Sequence, residues 1–418
     1  MDLDAVPEPE VERLEQLGSA DLVVGILDPE HAAGAGAVMR EALAELSPAA
    51  RAVVVCNNGV HGGPDPAKAE LSGSDQALTV FSYGLTPAGP AGTSLQSVSG
   101  AYRIVLAVAG KLGVRACGVI ASDPQTATAQ WIHQLLKPVV SLGFDLVGPR
   151  YTRHKMEGLL NRSILSPLHR ALYGVQLRNP MGPDFGLSGR LLQRVLGQGS
   201  NSRRKNQIDL VGSIAATAAS GGFQICESHL GVRTQAPTDW LNLSSLLAEV
   251  LGPVFLEVER QAAFWQGVRG SKPAPQFGQP EAASDDAGAV DVQRMIESFQ
   301  LGAQNLQDVW GLVLPPTTLL ELRKVSRLPP DRFRIPDEVW VRIVYDFALG
   351  HRLQAISRDH LLRSITPLYL GWIASYALEV ETAGPAEREA RMETLCRAYE
   401  ANKSYLVSRW RWPDRFNP

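Results

Sequence analysis

The stretch Arg115–Ile132, RACGVIASDPQTATAQWI, constrains this chain more than any other. It begins as a short run of small and β-branched apolar residues and stops abruptly at Ala121-Ser122-Asp123-Pro124. That pattern predicts a buried strand of a mostly parallel sheet running into a loop at its carboxyl end. Ligands of open α/β sheets sit outside the carboxyl ends of the strands. Asp123 is therefore placed to hold a metal, a phosphate-bound ion or a sugar hydroxyl. The alternative is that it caps a helix over Thr126–Leu136.

The segments before and after repeat the strand–helix alternation. Asp21–Leu27 and Ala52–Cys56 read as strands, the latter ending at Asn57-Asn58-Gly59, and about Gly36 to Leu46 reads as a helix. A strand at Ala77–Ser82 lies inside a Gly/Pro/Ser-rich segment, and Tyr102–Leu112 is a helix. Such units predict a parallel sheet covered on both faces. The glycines near Gly59 and Gly100 are too irregular for a dinucleotide fingerprint or a phosphate-binding P-loop. After the Asp145–Val147 strand come PRYTRHK (Pro149–Lys155), Asn161 through Gly174, and RNPMGPDFGLS (Arg178–Ser188). Their basic residues, tyrosine and turn around Asp184 suit a polar cleft for a phosphorylated or polyhydroxylated ligand, or else a solvated face.

Ile208–Ala219 reads as helix, Phe223–Cys226 as strand, and Trp240–Trp265 as a long amphipathic helix. Residues Gly270–Ala289 are depleted in large apolar side chains, the composition of a linker or exposed loop. The remainder is helical in pattern. With 418 residues the chain exceeds one typical core. The expected division is a helical extension (1–20), an α/β ligand domain (21–265), a linker (266–289) and a helical domain (290–418). A net charge of -3 offers no basic excess for nucleic acid or lipid headgroups. No apolar run approaches the ~20 residues of a membrane span. The N-terminus is acidic and polar, unlike a signal peptide. The four cysteines lie far apart and read as buried thiols of a reducing cytoplasm.

The segments DLVVGILDPEHAAGAGAV, VVVCNNG and ASDPQTATAQWI resemble the opening of a nucleotide-sugar-dependent glycosyltransferase of the GT-A fold. GFDLVGPRYTRHKMEGLLN, PLHRALYGVQLRNPMGPDFGLS and ICESHLGVR are similar to the retaining enzymes that make mannosylglycerate, glucosylglycerate or glucosyl-3-phosphoglycerate. The tail from FRIPDEVWVRIVYDFALGHR to NKSYLVSRW resembles their helical C-terminal region. The resemblance implies a mostly parallel α/β sheet with a helical C-terminal region. It also implies a UDP- or GDP-hexose donor, a small hydroxylated, glycerate-like acceptor, and Mg²⁺ or Mn²⁺ as Lewis acid for the departing nucleotide.

Matched residue by residue, the family's site is incomplete. Its Asp-x-Asp motif falls on Ala121-Ser122-Asp123, so only the second acid is present. A metal-binding histidine falls on Gln235, whose amide oxygen supplies no charge; His229 lies nearby at an offset. An acid facing the nucleobase falls on Asn58. A Gly-Lys-Gly loop falls on Val98-Ser99-Gly100, where Ser99 brings a neutral hydroxyl in place of a cation. An acid of the helix before ICESHLG falls on Val211, with Asp209 two residues away.

What survives is Glu30 (or Asp28), Asp123, Arg150, Tyr151, Arg153, His154, Asp184 and Arg233. Two readings follow. In a working transferase, Asp123 holds a weakly bound ion or the sugar, Arg150, Arg153 and Arg233 neutralise the diphosphate, and Asp184 or Asp209 serves the chemistry. In a catalytically degenerate homologue, the fold binds a ligand or partner protein without turnover. Trp340, Tyr345, Trp372, Tyr376, Trp410 and Trp412 supply many rings for one helical segment, mostly core, with a share free to form a homodimer face. Light scattering tests that dimer: the expected mass is twice the chain's 45.2 kDa, and a monomer mass at high concentration refutes it.

Overall fold

The structure is a computed structural model, and it describes residues 8–27, 35–46, 50–57, 78–83, 95–121, 129–200, 210–233, 242–281 and 290–413. The chain divides into two compact units. The first comprises Met1–Thr152, Leu177–Arg233 and Pro273–Ala282; the second comprises Arg153–Gln176, Thr234–Lys272 and Ala283–Pro418.

The first unit is built on an open sheet of β1 (Leu22–Ile26), β2 (Ala52–Asn57), β3 (Leu78–Tyr83), β4 (Ala116–Ile120), β5 (Leu146–Thr152), β6 (Phe185–Ser188), β7 (Ile225–Val232) and β8 (Gln276–Phe277), in the spatial order β8-β7-β5-β6-β4-β1-β2-β3. Every pairing is parallel except those of β6, which runs antiparallel between β4 and β5. The central strands LVVGI and ACGVI are apolar on both faces and buried throughout, because helices cover both sides. On one face α2 (Ala35–Leu46) and α4 (Ala129–Leu142) pack together over Val24, Val54 and Val147. On the other lie α3 (Leu95–Lys111), α5 (Gly189–Ser200) and α6 (Leu210–Ser220). This is the expected α/β, mostly parallel sheet, with a helical C-terminal region following it in the chain.

Three expectations change. Arg178–Ser188 is not all turn: its last four residues form β6, a strand too short and too Gly-containing to stand out by period. Gly270–Ala289 is not simply a linker. Its Gln276–Phe277 pairs with Glu227–Ser228 as an edge strand, held by backbone hydrogen bonds that need no large side chains. And the helix Leu243–Arg260 belongs to the second unit, because its apolar face packs on Asp337–Leu353 and Arg358–Ser364.

The second unit is helical. Trp340 stacks on Trp372 with ring centroids 5.8 Å apart. Its indole N–H and the Tyr399 hydroxyl both donate to the carbonyl of Ser163, at 3.2 and 2.8 Å, inside the π-helical turn Asn161–Leu165. The following helix, Ser166–Tyr173, is buried along its whole length, and Arg170 pairs with Glu393 at 2.6 Å and Glu400 at 3.1 Å. That part of the expected polar cleft is interior, its guanidinium held by two carboxylates. Of the six rings assigned to core or dimer face, Trp340, Tyr345, Trp372, Tyr376 and Trp410 are buried, and Trp412 is 59% exposed. Only Trp412 among them can meet a partner.

All four cysteines are buried. Cys56, Cys117 and Cys226 lie on β2, β4 and β7, and burial pushes the Cys117 and Cys226 thiols up to about 12. Among the described residues no helix is long and apolar enough to cross a membrane.

The tightest contact of the sheet is at Gly186 in β6, where an added Cβ would lie 2.1 Å from the Leu135 carbonyl oxygen of α4. Backbone cannot yield there as a side chain would. Gly186→Ala should cost about 3 kcal/mol in urea denaturation, and a cost below about 1 kcal/mol would show that α4 is not seated on β6.

Candidate functional site at the carboxyl ends of the strands

Connections from β1 and β4 leave toward opposite halves of the sheet, so a crevice opens beyond their carboxyl ends. The two ends lie side by side: the Leu27 N–H donates to the Ile120 carbonyl at 3.0 Å. Residues 28–34 and 122–128 continue from these ends, so Asp28, Glu30 and Asp123 lie outside the described residues, as do Asn58, Asp209 and Gln235.

Because β6 is antiparallel, its first residue arrives at the carboxyl end of β4, and it brings Asp184 with it. Asp184 is fully buried. Its Oδ1 accepts the Ala121 N–H at 2.8 Å, and its Oδ2 accepts a short hydrogen bond from the Tyr151 hydroxyl. The preceding carbonyl, of Pro183, accepts from the Tyr102 hydroxyl at 2.8 Å. A carboxylate removed from water in this way is tolerated because donors replace the lost solvent. Within the fold, Asp184 holds the amide of Ala121, the last described residue before Ser122, and the Tyr151 hydroxyl.

Tyr151 links this anchor to a cation. The Arg233 guanidinium lies 5.1 Å from the Tyr151 ring centroid, a cation–π distance. The Arg233 N–H donates to the Thr152 carbonyl at 3.3 Å. Among the described residues this guanidinium has no carboxylate partner. The expected neighbours Arg233, Tyr151 and Asp184 are thus brought together.

Arg150 has a different environment. Its Nη1 meets the Glu227 Oε2 at 3.1 Å, and Glu227 is buried with Oε1 accepting the Arg178 N–H at 2.5 Å. Burial raises the Glu227 carboxyl above its usual range, and Arg150 opposes that shift. Arg150 is thereby occupied with a buried acid rather than turned wholly to a diphosphate. Glu227 was overlooked because ICESHLG reads as a strand, and an acid within a strand gives no sign of which face it takes. His229, on β7 beside the edge strand, lies 3.4 Å from Gln276 Oε1, and burial lowers its pKa.

Arg153 and His154 belong to the second unit, where the His154 N–H donates to Glu157 Oε2 at 3.2 Å. Ser99 lies in the first turn and a half of α3 and not in a loop, because Leu95–Lys111 is continuous helix. Val211, where an acid was expected, helps line a small apolar pocket with Leu146, Leu177, Asn179, Phe185 and Ile214. Among the described residues no three His, Cys, Asp or Glu side chains converge on a metal position. The described residues alone do not fit a divalent ion.

No protein-family model matches the chain, and no curated protein matches it. Among solved structures it resembles glucosyl-3-phosphoglycerate synthase of Mycobacterium tuberculosis. The complex of that protein with Mg²⁺ and UDP is 18% identical over 60% of this chain and 83% of that one, with a TM-score of 0.36. Its complex with Mn²⁺, UDP-glucose and phosphoglyceric acid is 15% identical over 66% of this chain and 94% of that one, with a TM-score of 0.34.

Removing the Tyr151 hydroxyl leaves a buried carboxylate oxygen without its donor. Tyr151→Phe should lower stability by about 1–3 kcal/mol in chemical denaturation. An unchanged midpoint would show that the hydroxyl does not carry the Asp184 anchor.

Proposed function

We propose that this chain is a glycosyltransferase-family protein that binds a UDP- or GDP-hexose beyond the carboxyl ends of β1, β4, β5 and β7. It transfers the hexose to a small hydroxylated, glycerate-like acceptor. The observation that carries this reading is the run Ala121–Asp184–Tyr151–Arg233, which joins the carboxyl end of β4 to a stacked guanidinium at a switch point of the sheet. In this reading Arg233 faces the diphosphate, Asp123 holds sugar hydroxyls or a weakly bound Mg²⁺ or Mn²⁺, and Glu30, Asn58 and Ser99 line the nucleotide. Asp184 is a positioning residue, and Asp209 is the remaining acid for the transfer itself. The mycobacterial synthase structures containing Mn²⁺, UDP-glucose and phosphoglyceric acid guide the choice of probes.

The second reading, ligand binding without turnover, is favoured by one specific feature. Asp184 and Arg150, two of the surviving charged residues, are engaged by Ala121, Tyr151 and Glu227 inside the fold.

Calorimetry with UDP-glucose, GDP-mannose and the free diphosphates, each with and without Mg²⁺ or Mn²⁺, separates these readings. Transfer requires nucleotide binding that weakens at least about tenfold in Arg233→Ala, consistent with loss of a charge-assisted contact, together with release of the nucleoside diphosphate and formation of a hexosyl product on adding glycerate or phosphoglycerate. Binding without release selects the second reading. Absence of nucleotide binding under every condition ends the first.

A further inference from the structure

We propose that the Glu281 carboxylate is a built-in competitor for an oxyanion subsite at the end of β7. The pairing of β5 with β7 slips by one residue: Arg150 lies opposite His229, and Tyr151 opposite Gly231. A bulge of this kind turns the strand and re-aims its groups. Gly231 takes φ +81°, a left-handed conformation open to glycine, and the next N–H, of Val232, points to Glu281 Oε2 at 3.2 Å. The Glu281 carboxylate occupies the space a side chain would take here: a Cβ on Gly231 would lie 2.9 Å from Glu281 Oε2 and 3.0 Å from Oε1. The Glu281 carbonyl accepts the Thr152 hydroxyl at 2.9 Å. Arg233, the residue after Val232, stacks on Tyr151 and has no carboxylate partner among the described residues.

A backbone N–H beside a guanidinium, at the end of a strand, is the donor set of a phosphate or diphosphate oxygen. The chain fills the N–H with its own anion. Glu281 is delivered by a strap that runs along the edge of β7: the Glu227 N–H donates to the Pro275 carbonyl at 2.9 Å, and Gln276–Phe277 pairs with Glu227–Ser228. Backbone pairing ends there, and two hydrogen bonds from Val232 and Thr152 hold the Glu281 end. Glu281 is exposed, so an arriving oxyanion can displace its carboxylate while the edge strand stays paired. An ordinary edge cap would satisfy the Val232 N–H equally well. It would not repel an anion beside Arg233.

This inference shares Arg233 with the proposed donor site and otherwise rests on the strand-end geometry. The test is calorimetry of the full chain with inorganic pyrophosphate, using wild type, Glu281→Gln, Arg233→Ala and the double variant, with thermal unfolding of each. Removing one like charge at this range should tighten pyrophosphate binding about fivefold in Glu281→Gln. Glu281→Asp, which keeps the charge but withdraws it by one methylene, should gain less, and it serves in place of Glu281→Gln should that variant not fold. Arg233→Ala should lose the gain in both backgrounds. Equal or weaker binding by folded Glu281→Gln overturns the proposal, as does absence of pyrophosphate binding in both proteins or a gain that survives Arg233→Ala. UDP-glucose binding with no gain in Glu281→Gln overturns this inference alone. A pyrophosphate gain with no binding of UDP-glucose or GDP-mannose overturns the donor reading alone.

Discussion

The buried carboxylate of Asp184 is the interaction on which the ordering of this site depends. One oxygen holds the Ala121 amide at the end of β4, and the other holds the Tyr151 hydroxyl at the end of β5. A single side chain therefore sets where two strands stop relative to each other, and the strand between them is its own. The cost of taking a charge out of water is met by two directed donors. The same geometry makes Tyr151 a fixed platform, so the guanidinium stacked above it has a defined place. Without the carboxylate, neither Ala121 nor the platform under Arg233 has an evident reason to keep its position.

The antiparallel insertion of β6 is what makes this possible. In a wholly parallel sheet the residue preceding a strand lies at the amino-terminal edge, away from ligands. Reversing one four-residue strand brings its leading residue to the opposite edge. The trailing end is anchored as well, since Ser188, Arg190 and Gln224 all donate to Asp145 at the amino end of β5. Two buried aspartates thus bracket β6, one on each edge of the sheet, and one of them serves the crevice.

Much of this was legible in the sequence. The apolar runs Leu22–Ile26, Ala52–Cys56 and Ala116–Ile120 announce central strands because nothing polar interrupts them, and the abrupt stop after Ile120 marks the crevice side. Arg233, Tyr151 and Asp184 could be nominated as neighbours through the family resemblance. What the sequence hid were properties decided by partners far along the chain. Whether Asp184 faces solvent or an amide, whether Arg150 meets a ligand or Glu227, and whether residues 273–281 link or pair are set by contacts across the fold. Local composition carries no trace of them. The apolar period of Trp240–Trp265 likewise marks a helix without saying which unit it covers.

Three of the four thiols sit on strands of one sheet, β2, β4 and β7, and all three are buried. A thiol buried in this way is out of reach of an alkylating reagent while the strands remain paired. Each cysteine is then an internal clock for the opening of its own strand, and the order in which the three become labelled would trace the route by which the sheet comes apart.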